Sequence, residues 1–403
     1  GEKVVKRFLA ILLAVFMLFS VAACGSKAPE AEAPAETPQQ QEEQPAPEGD
    51  IVIGVLQDIT GVTSTLGKMV QEGAQWAADE INAAGGVNGR KIKLVTYDTK
   101  ADVQEAINAF NRMATTDKVS AVIGPPVANI AIAIAPISEQ YDVPVLHFAI
   151  DDRASIKDDG TPYKNMFLFQ PSAKQQGAIM AKFAVVEQGL KKFGIIYNQS
   201  NAYSVSLLEP FKTTAESLGA EIVEEVPYQP NDKDFKTMLN KLISAGAEAI
   251  YAPNYTQELI LIVQQARAIG FEGRLICGLD ACPPFPELCG PESNGVIYIN
   301  NITETEPQIQ GIIEAYKDKT GNDATNKFFL GYDVMNIIAK TIGEVGDDPV
   351  AIRDAVEKLS GFEGLTGNIT IDPNTHQTKG LEMVMHEIQN QAPVMLKRYS
   401  AEQ

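Results

Sequence analysis

After residue 50 the chain alternates short β-branched, apolar runs with longer stretches whose apolar residues recur every three or four positions, the pattern of strands alternating with amphipathic helices. The runs IVIGVL (51–56), KLVTYD (93–98), AVIG (121–124), PVLHF (144–148), FGIIYN (193–198), EIVEEVPY (221–228), AEAIYAP (247–253), RLICGL (274–279) and VIYIN (296–300) predict strands. The clearest helix is predicted from about Gly67 to Ala83, with Val70, Ala74, Ala77, Ala78 and Ile81 on one face and Gly85-Gly86 as its stop. Four strand–helix units before residue 150 and four more after 190, with no short-period repeat, predict an α/β fold of two similar, doubly wound lobes with mainly parallel sheets. Such sheets bind ligands at the carboxyl ends of their strands, here a crevice shared by two lobes. The loops that reach it are Gln57 to Gly61, Gly124 to Asn129, Phe148 to Arg153, Asn198 to Ser204, Pro253 to Thr256 and Gly278 to Cys282, rich in Asp, Asn, Thr, Ser and Tyr.

The first 50 residues follow other rules. Lys3, Lys6 and Arg7 precede the apolar run FLAILLAVFMLFSVAA (8–23), the order of an export signal, and the run is shorter than the ~20 residues a spanning helix needs. It ends in Val21-Ala22-Ala23-Cys24, which resembles the bacterial lipobox; residues 1–23 are then a lipoprotein signal peptide and Cys24 the lipidated first residue. An ordinary cleaved signal with a chance cysteine is the competing reading. Residues 24–50 are Pro-, Glu- and Gln-rich, with five prolines and seven acids against one lysine from Gly25 to Asp50. A stretch with no large apolar residue predicts a disordered tether between anchor and globular body.

Composition narrows the function further. Hydrophobic residues make up 45% of the 403, enough for sizeable cores, while 52 acids against 33 bases give a net charge of −19. Nucleic acid is therefore not an expected partner, since it would meet mostly carboxylates and gain no counterion release. Enzyme motifs fail on spacing. GVTSTLGK (61–68) has five residues between its glycines where a phosphate loop has four, and Met69 stands where Ser or Thr would ligate magnesium. The glycines of Gly85 to Gly89 close a helix instead of opening one, there is no G-x-S-x-G, and His147, His376 and His386 have no metal or triad spacing. No catalytic residue, cofactor or metal is implied. Apart from Cys24, Cys277, Cys282 and Cys289 leave an odd count; a Cys282–Cys289 disulfide with a spare thiol is the leading option for an exported protein, with three reduced thiols or a zinc site as alternatives.

A set of motifs resembles one family. Ile53-Gly54-Val55 with Thr60-Gly61, the stretch EINAAGGVNGR (80–90), Tyr97-Asp98, Val122-Ile123-Gly124, Val143-Pro144-Val145, Gln176-Gly177, Asp232 to Phe235, Gln265-Ala266-Arg267, Gly331-Tyr332-Asp333 and Leu365-Thr366-Gly367 look like the substrate-binding lipoproteins of ABC transporters of the branched-chain amino acid type. The resemblance runs from Ile51 to about Gln377 and implies the type I periplasmic-binding fold, two lobes joined by three crossovers around a hinged cleft. It places lobe one at 51–170 plus 301–362 and lobe two at 171–300 plus 363–403. It implies an extracytoplasmic, membrane-anchored protein, expected as a monomer, that captures a small polar solute (an amino acid or related amine or amide) and delivers it to ABC permease transmembrane subunits. The competing classes are a ligand-sensing subunit for a membrane signalling protein and a periplasmic small-amide hydrolase.

Carried over by position, the family's ligand site falls on Ala128 and Asn129, whose backbone amides open a helix and can bind an anion, on Asp151, on Tyr203 and Tyr255, and on Asp280 as partner of a ligand ammonium. A serine of the family is replaced by Ala128, a threonine by Asp151 and a first-lobe tyrosine by Leu66. Acids at both 151 and 280 predict a ligand with two separated donors or positive charges, or a neutral amide or hydroxylated molecule, rather than leucine, isoleucine or valine, unless Arg153 neutralises Asp151. The competing readings are a turn cap for Asp280, a solvated ion pair for Asp151 and Arg153, packing roles for the tyrosines and Trp76, and a buried hydrogen-bonded residue for His147.

Overall fold

The computed structural model describes residues 49–402; the predicted signal, Cys24 and the tether up to Glu48 lie outside the described residues. Fifteen strands form two sheets. The first ten are β1 (Ile51–Gln57), β2 (Ile92–Asp98), β3 (Ala121–Ile123), β4 (Val145–His147), β5 (Met166–Leu168), β6 (Lys192–Asn198), β7 (Glu221–Tyr228), β8 (Ala249–Ala252), β9 (Arg274–Cys277) and β10 (Val296–Asn300). Then come β11 (Phe362–Gly364), β12 (Gly367–Asp372), β13 (Gln377–Lys379), β14 (Glu382–Gln389) and β15 (Ala392–Ser400). The eight-stranded sheet runs β11-β12-β13-β5-β4-β3-β1-β2 and the seven-stranded one β15-β14-β10-β9-β8-β6-β7. Both are parallel from β1 to β10 and antiparallel among the late strands. All nine predicted strands form, each within two residues of its expected ends.

The chain passes between the sheets three times, after β5, after β10 and between β13 and β14, so each passage has two counterparts beside it and the lobes share a multi-stranded hinge. One expected boundary moves. Residues 363–380 do not belong to lobe two: β12 pairs with β13, and Gln377 of β13 pairs with Leu168 of β5 in the first sheet. Ile369, Ile371 and Leu381 are buried in the first lobe's core with Ile53 and Phe167, and that apolar burial holds the segment there. Lobe two receives only β14 and β15.

In lobe one the helix Ser64–Ala83 begins three residues earlier than expected and lies against the helix Asn326–Val345. The two backbones approach so closely that a Cβ at Gly73 would sit 1.8 Å from the Phe328 carbonyl oxygen and one at Gly331 2.0 Å from that of Val70. Glycine at both positions lets the second helix press against the first, which fixes the height of its amino-terminal turn, the turn that carries Lys327.

Candidate functional site

The site grows from strand ends. β3 leads through Gly124 to the helix Ala128–Ser138, β6 to Tyr203 in the short helix Ala202–Ser206, β8 to Tyr255 ahead of the helix Thr256–Ala268, and β9 to Asp280 in a single 3-10 turn. Lobe one adds the first turn of Asn326–Val345. These pieces surround a small cavity between the lobes. The lobes are thus closed tightly, leaving room for little more than a single water molecule. Leu66, Phe148, Ile150, Leu279 and Leu330 make its apolar wall; Gln170, Tyr203, Tyr255, Asp280 and Lys327 are its polar groups, with Ala128 at the helix start.

The polar groups are unsaturated. The Tyr203 and Tyr255 rings stack at 5.1 Å and 9°, and both hydroxyls are buried without a hydrogen-bond partner. The Tyr203 hydroxyl lies beside Asp280 and the Tyr255 hydroxyl beside the Ala128 amide, both short of a formed bond. Burial raises the Asp280 carboxyl above the usual range, opposed by the positive charge of Lys327. Thr256 donates its hydroxyl to the Asp280 carbonyl at 3.1 Å and pins the turn. Lys327 is only 6% exposed and forms no ion pair among the described residues.

Asn129 acts through its side chain. Its Nδ2 donates to the Ser200 carbonyl at 3.1 Å and its Oδ1 accepts from the Ala202 amide at 2.9 Å, both on the other lobe. It stands not in the enclosed cavity but in a larger opening outside it, where Asn198, Asn231 and Glu258 face Thr63 and Ala101. Tyr255 lines both spaces and divides them.

Asp151 does not line the cavity. Its carboxylate accepts from Arg153 Nε at 3.0 Å, Nη2 at 2.6 Å and the Arg153 amide at 2.9 Å, so the predicted pair of carboxylates facing the ligand gives way to one carboxylate and one ammonium. His147 is buried against the Ser155 hydroxyl at 3.0 Å, its pKa lowered to about 3 by burial, and is no part of the site. Trp76 packs edge-on against Tyr316 and Phe328 and donates Nε1 to Glu80. Asp58 turns into its own loop, accepting from the Gly61 and Thr63 amides and the Thr63 hydroxyl at 2.6, 2.7 and 2.6 Å. The expected Cys282–Cys289 disulfide is not formed: Cys277, Cys282 and Cys289 are free and buried in an otherwise apolar part of lobe two.

Two site residues had escaped sequence reasoning. Gln170 sits in the first crossover, accepts from Asn301 Nδ2 of the second at 3.2 Å and donates to the Phe148 carbonyl. Lys327 carried a signal in its neighbours: a lone charge in the run Asn326 to Gly331, every residue of which is buried. Asn326 hydrogen bonds Asn300, whose Oδ1 also accepts from the Asn301 amide at 2.9 Å, and so ties the turn of Lys327 to the hinge. Among the described residues no cluster of metal-ligating side chains occurs, and no helix is long and apolar enough to cross a membrane.

Comparison with known proteins agrees with this architecture. The model of the periplasmic binding protein family matches residues 50–392. A leucine-, isoleucine-, valine-, threonine- and alanine-binding protein of Pseudomonas aeruginosa is 26% identical over 327 residues, 80% of this chain and 86% of that protein. Among solved structures, a leucine-binding protein of Thermotoga maritima superposes with a TM-score of 0.79 at 29% identity, covering 87% of this chain and 99% of that one. A branched-chain amino acid transporter substrate-binding protein of Streptococcus pneumoniae in complex with isoleucine gives 0.78 at 25% identity, covering 86% and 99%.

Proposed function

The chain belongs to the periplasmic binding protein family, and from that premise we propose that it is an extracytoplasmic receptor, anchored through Cys24, that captures a small amino acid or related organic solute between its lobes and presents it to an ABC permease. The observation that carries capture is the inter-lobe cavity, with two buried tyrosine hydroxyls lacking partners and two opposite charges that form no ion pair. Buried polar groups in that state cost free energy that a ligand's own polar groups offset. Closure is then driven by differential contacts with the closed form, and the closed form is what a permease would recognise. Relatives whose names state amino acid binding support the same class of solute.

The test is a thermal-shift panel of amino acids, aliphatic and aromatic acids, amines and amides on the soluble chain from residue 49, followed by calorimetry and recovery of the bound compound. Capture predicts a raised melting temperature with at least one class and recovery of the compound unaltered. Conversion of an amide probe to acid and amine would favour the hydrolase instead.

A further inference from the structure

Resting on capture between the lobes, we propose that Lys327 sets the chemical class of the solute: the ligand carries an anionic group, a carboxylate in the simplest case, that meets the Lys327 ammonium, while a donor on its other side meets Asp280. Lysine is almost never buried without a partner. Lys327 is 6% exposed, has neither an ion pair nor a hydrogen bond among the described residues, and faces the enclosed cavity. Asp280 is 7% exposed on the opposite lobe and feels the Lys327 charge without touching it. The two leave between them a gap with one end positive and one end negative.

A solute with two separated cationic groups does not fit such a gap, because one of them would press against Lys327, and Asp151 is already held by Arg153. A neutral apolar solute would leave both charges desolvated and unpartnered. A carboxylate at Lys327 gains a charge-assisted contact, and the unpartnered Tyr203 and Tyr255 hydroxyls can donate to it or to a neighbouring acceptor. The ligand's body is left to Leu66, Phe148 and Leu330.

The experiment is calorimetry at pH 7.5 with four probes, leucine, leucinamide, benzoate and 3-methylbutylamine, on the wild-type chain and on Lys327→Met and Lys327→Arg, each checked by its melting temperature. Leucine and leucinamide share a side chain and an amine and differ in the carboxylate. We expect leucine or benzoate to bind the wild type, leucinamide and the amine to bind at least about tenfold more weakly than leucine, Lys327→Met to lose about tenfold or more on the acid probe, and Lys327→Arg to restore most of it. Acid binding unchanged in a folded Lys327→Met overturns the assignment. So does a wild type that takes leucinamide or the amine in preference to the acids, an outcome that leaves capture itself standing. If neither acid probe binds the wild type while the wider panel finds a ligand without an anionic group, the assignment of Lys327 is overturned and capture stands.

Discussion

Asn129 offers the most direct handle on closure, because its side chain belongs to one lobe and both its partners to the other. Replacing it by alanine removes the bond to the Ser200 carbonyl at 3.1 Å and the one from the Ala202 amide at 2.9 Å. Both exist only when the lobes are together, so their loss falls on the closed form; in the open form water satisfies the same groups. At about 0.5–1.5 kcal/mol net for each bond, closure weakens by about 1–3 kcal/mol. A ligand held in the closed form then binds about 5- to 150-fold more weakly, chiefly through faster release. Calorimetry and stopped-flow release with whichever probe binds the wild type measure this, and solution scattering of the unliganded chain should show a larger radius of gyration in Asn129→Ala. The melting temperature of each lobe's core should hardly move, since Asn129 lies at a helix start facing the opening. Affinity and release within about twofold of wild type would show that the bridge contributes nothing to the bound state.

The remaining predictions address other parts of the molecule. Asp280→Ala should weaken leucine binding by about 2 kcal/mol or more, measured by calorimetry, without lowering the melting temperature, because the carboxylate removed is a buried one raised by desolvation. His386 is buried with both ring nitrogens unpartnered and its pKa lowered to about 4 from 6.5, so it supports folding above pH 6.5 and loses that support as pH falls toward 4. Between pH 7.5 and 5 the loss from this group is about 2 kcal/mol, which His386→Phe should remove from a urea-denaturation comparison at the two pH values. Burial pushes the Cys282 and Cys289 thiols up to about 12 and Cys277 still higher, so on the chain from residue 49 a thiol reagent should label none of the three in the native state and all three in urea. In the full-length protein, Cys24→Ser should move the chain from the membrane fraction to the soluble one, as expected if a diacyl group on that cysteine is its anchor.

Much of the fold was legible because its central strands are buried on both faces and read as continuous apolar runs. β5, Met166–Leu168, escaped because it carries no β-branched residue, whereas the equally short β3 and β4 carry Val or Ile. Of the C-terminal strands, β14 and β15 fell in the expected lobe and β11 to β13 did not. β11, β12 and β13 pair locally with one another, and only the pairing of Gln377 in β13 with Leu168 of β5, more than 200 residues earlier, fixes their lobe, which no local pattern records. In the candidate site, position-by-position transfer named Tyr203, Tyr255, Asp280 and Ala128, all of which line the cavity, but did not settle its charge. It left open whether Arg153 neutralises Asp151, because the bidentate grip seen in the structure depends on the curl of a 3-10 turn. It missed Lys327 because that side chain reaches the cavity from a helix outside the strand-end loops, held at its height by the contact of Gly73 with the second helix.

Lys327 and Asp280 on opposite lobes give closure an electrostatic component that depends on occupancy. In an open cleft both groups are hydrated. Bringing the lobes together empty desolvates both while leaving them short of contact, and for buried charges the loss of hydration commonly exceeds the attraction recovered. Asn129 opposes this penalty through two bonds between the lobes made outside the cavity. The empty closed form is therefore held by the bridge and strained by the charges. A solute that supplies a counter-charge to each end relieves the strain without altering the bridge, so its differential affinity for the closed form is concentrated at those two side chains. A ligand lacking either charged end, even one that fills the apolar wall, relieves only half of the penalty and closes the cleft correspondingly less. In such a design the apolar wall contributes affinity, whereas the pair of charges decides which solutes turn binding into closure.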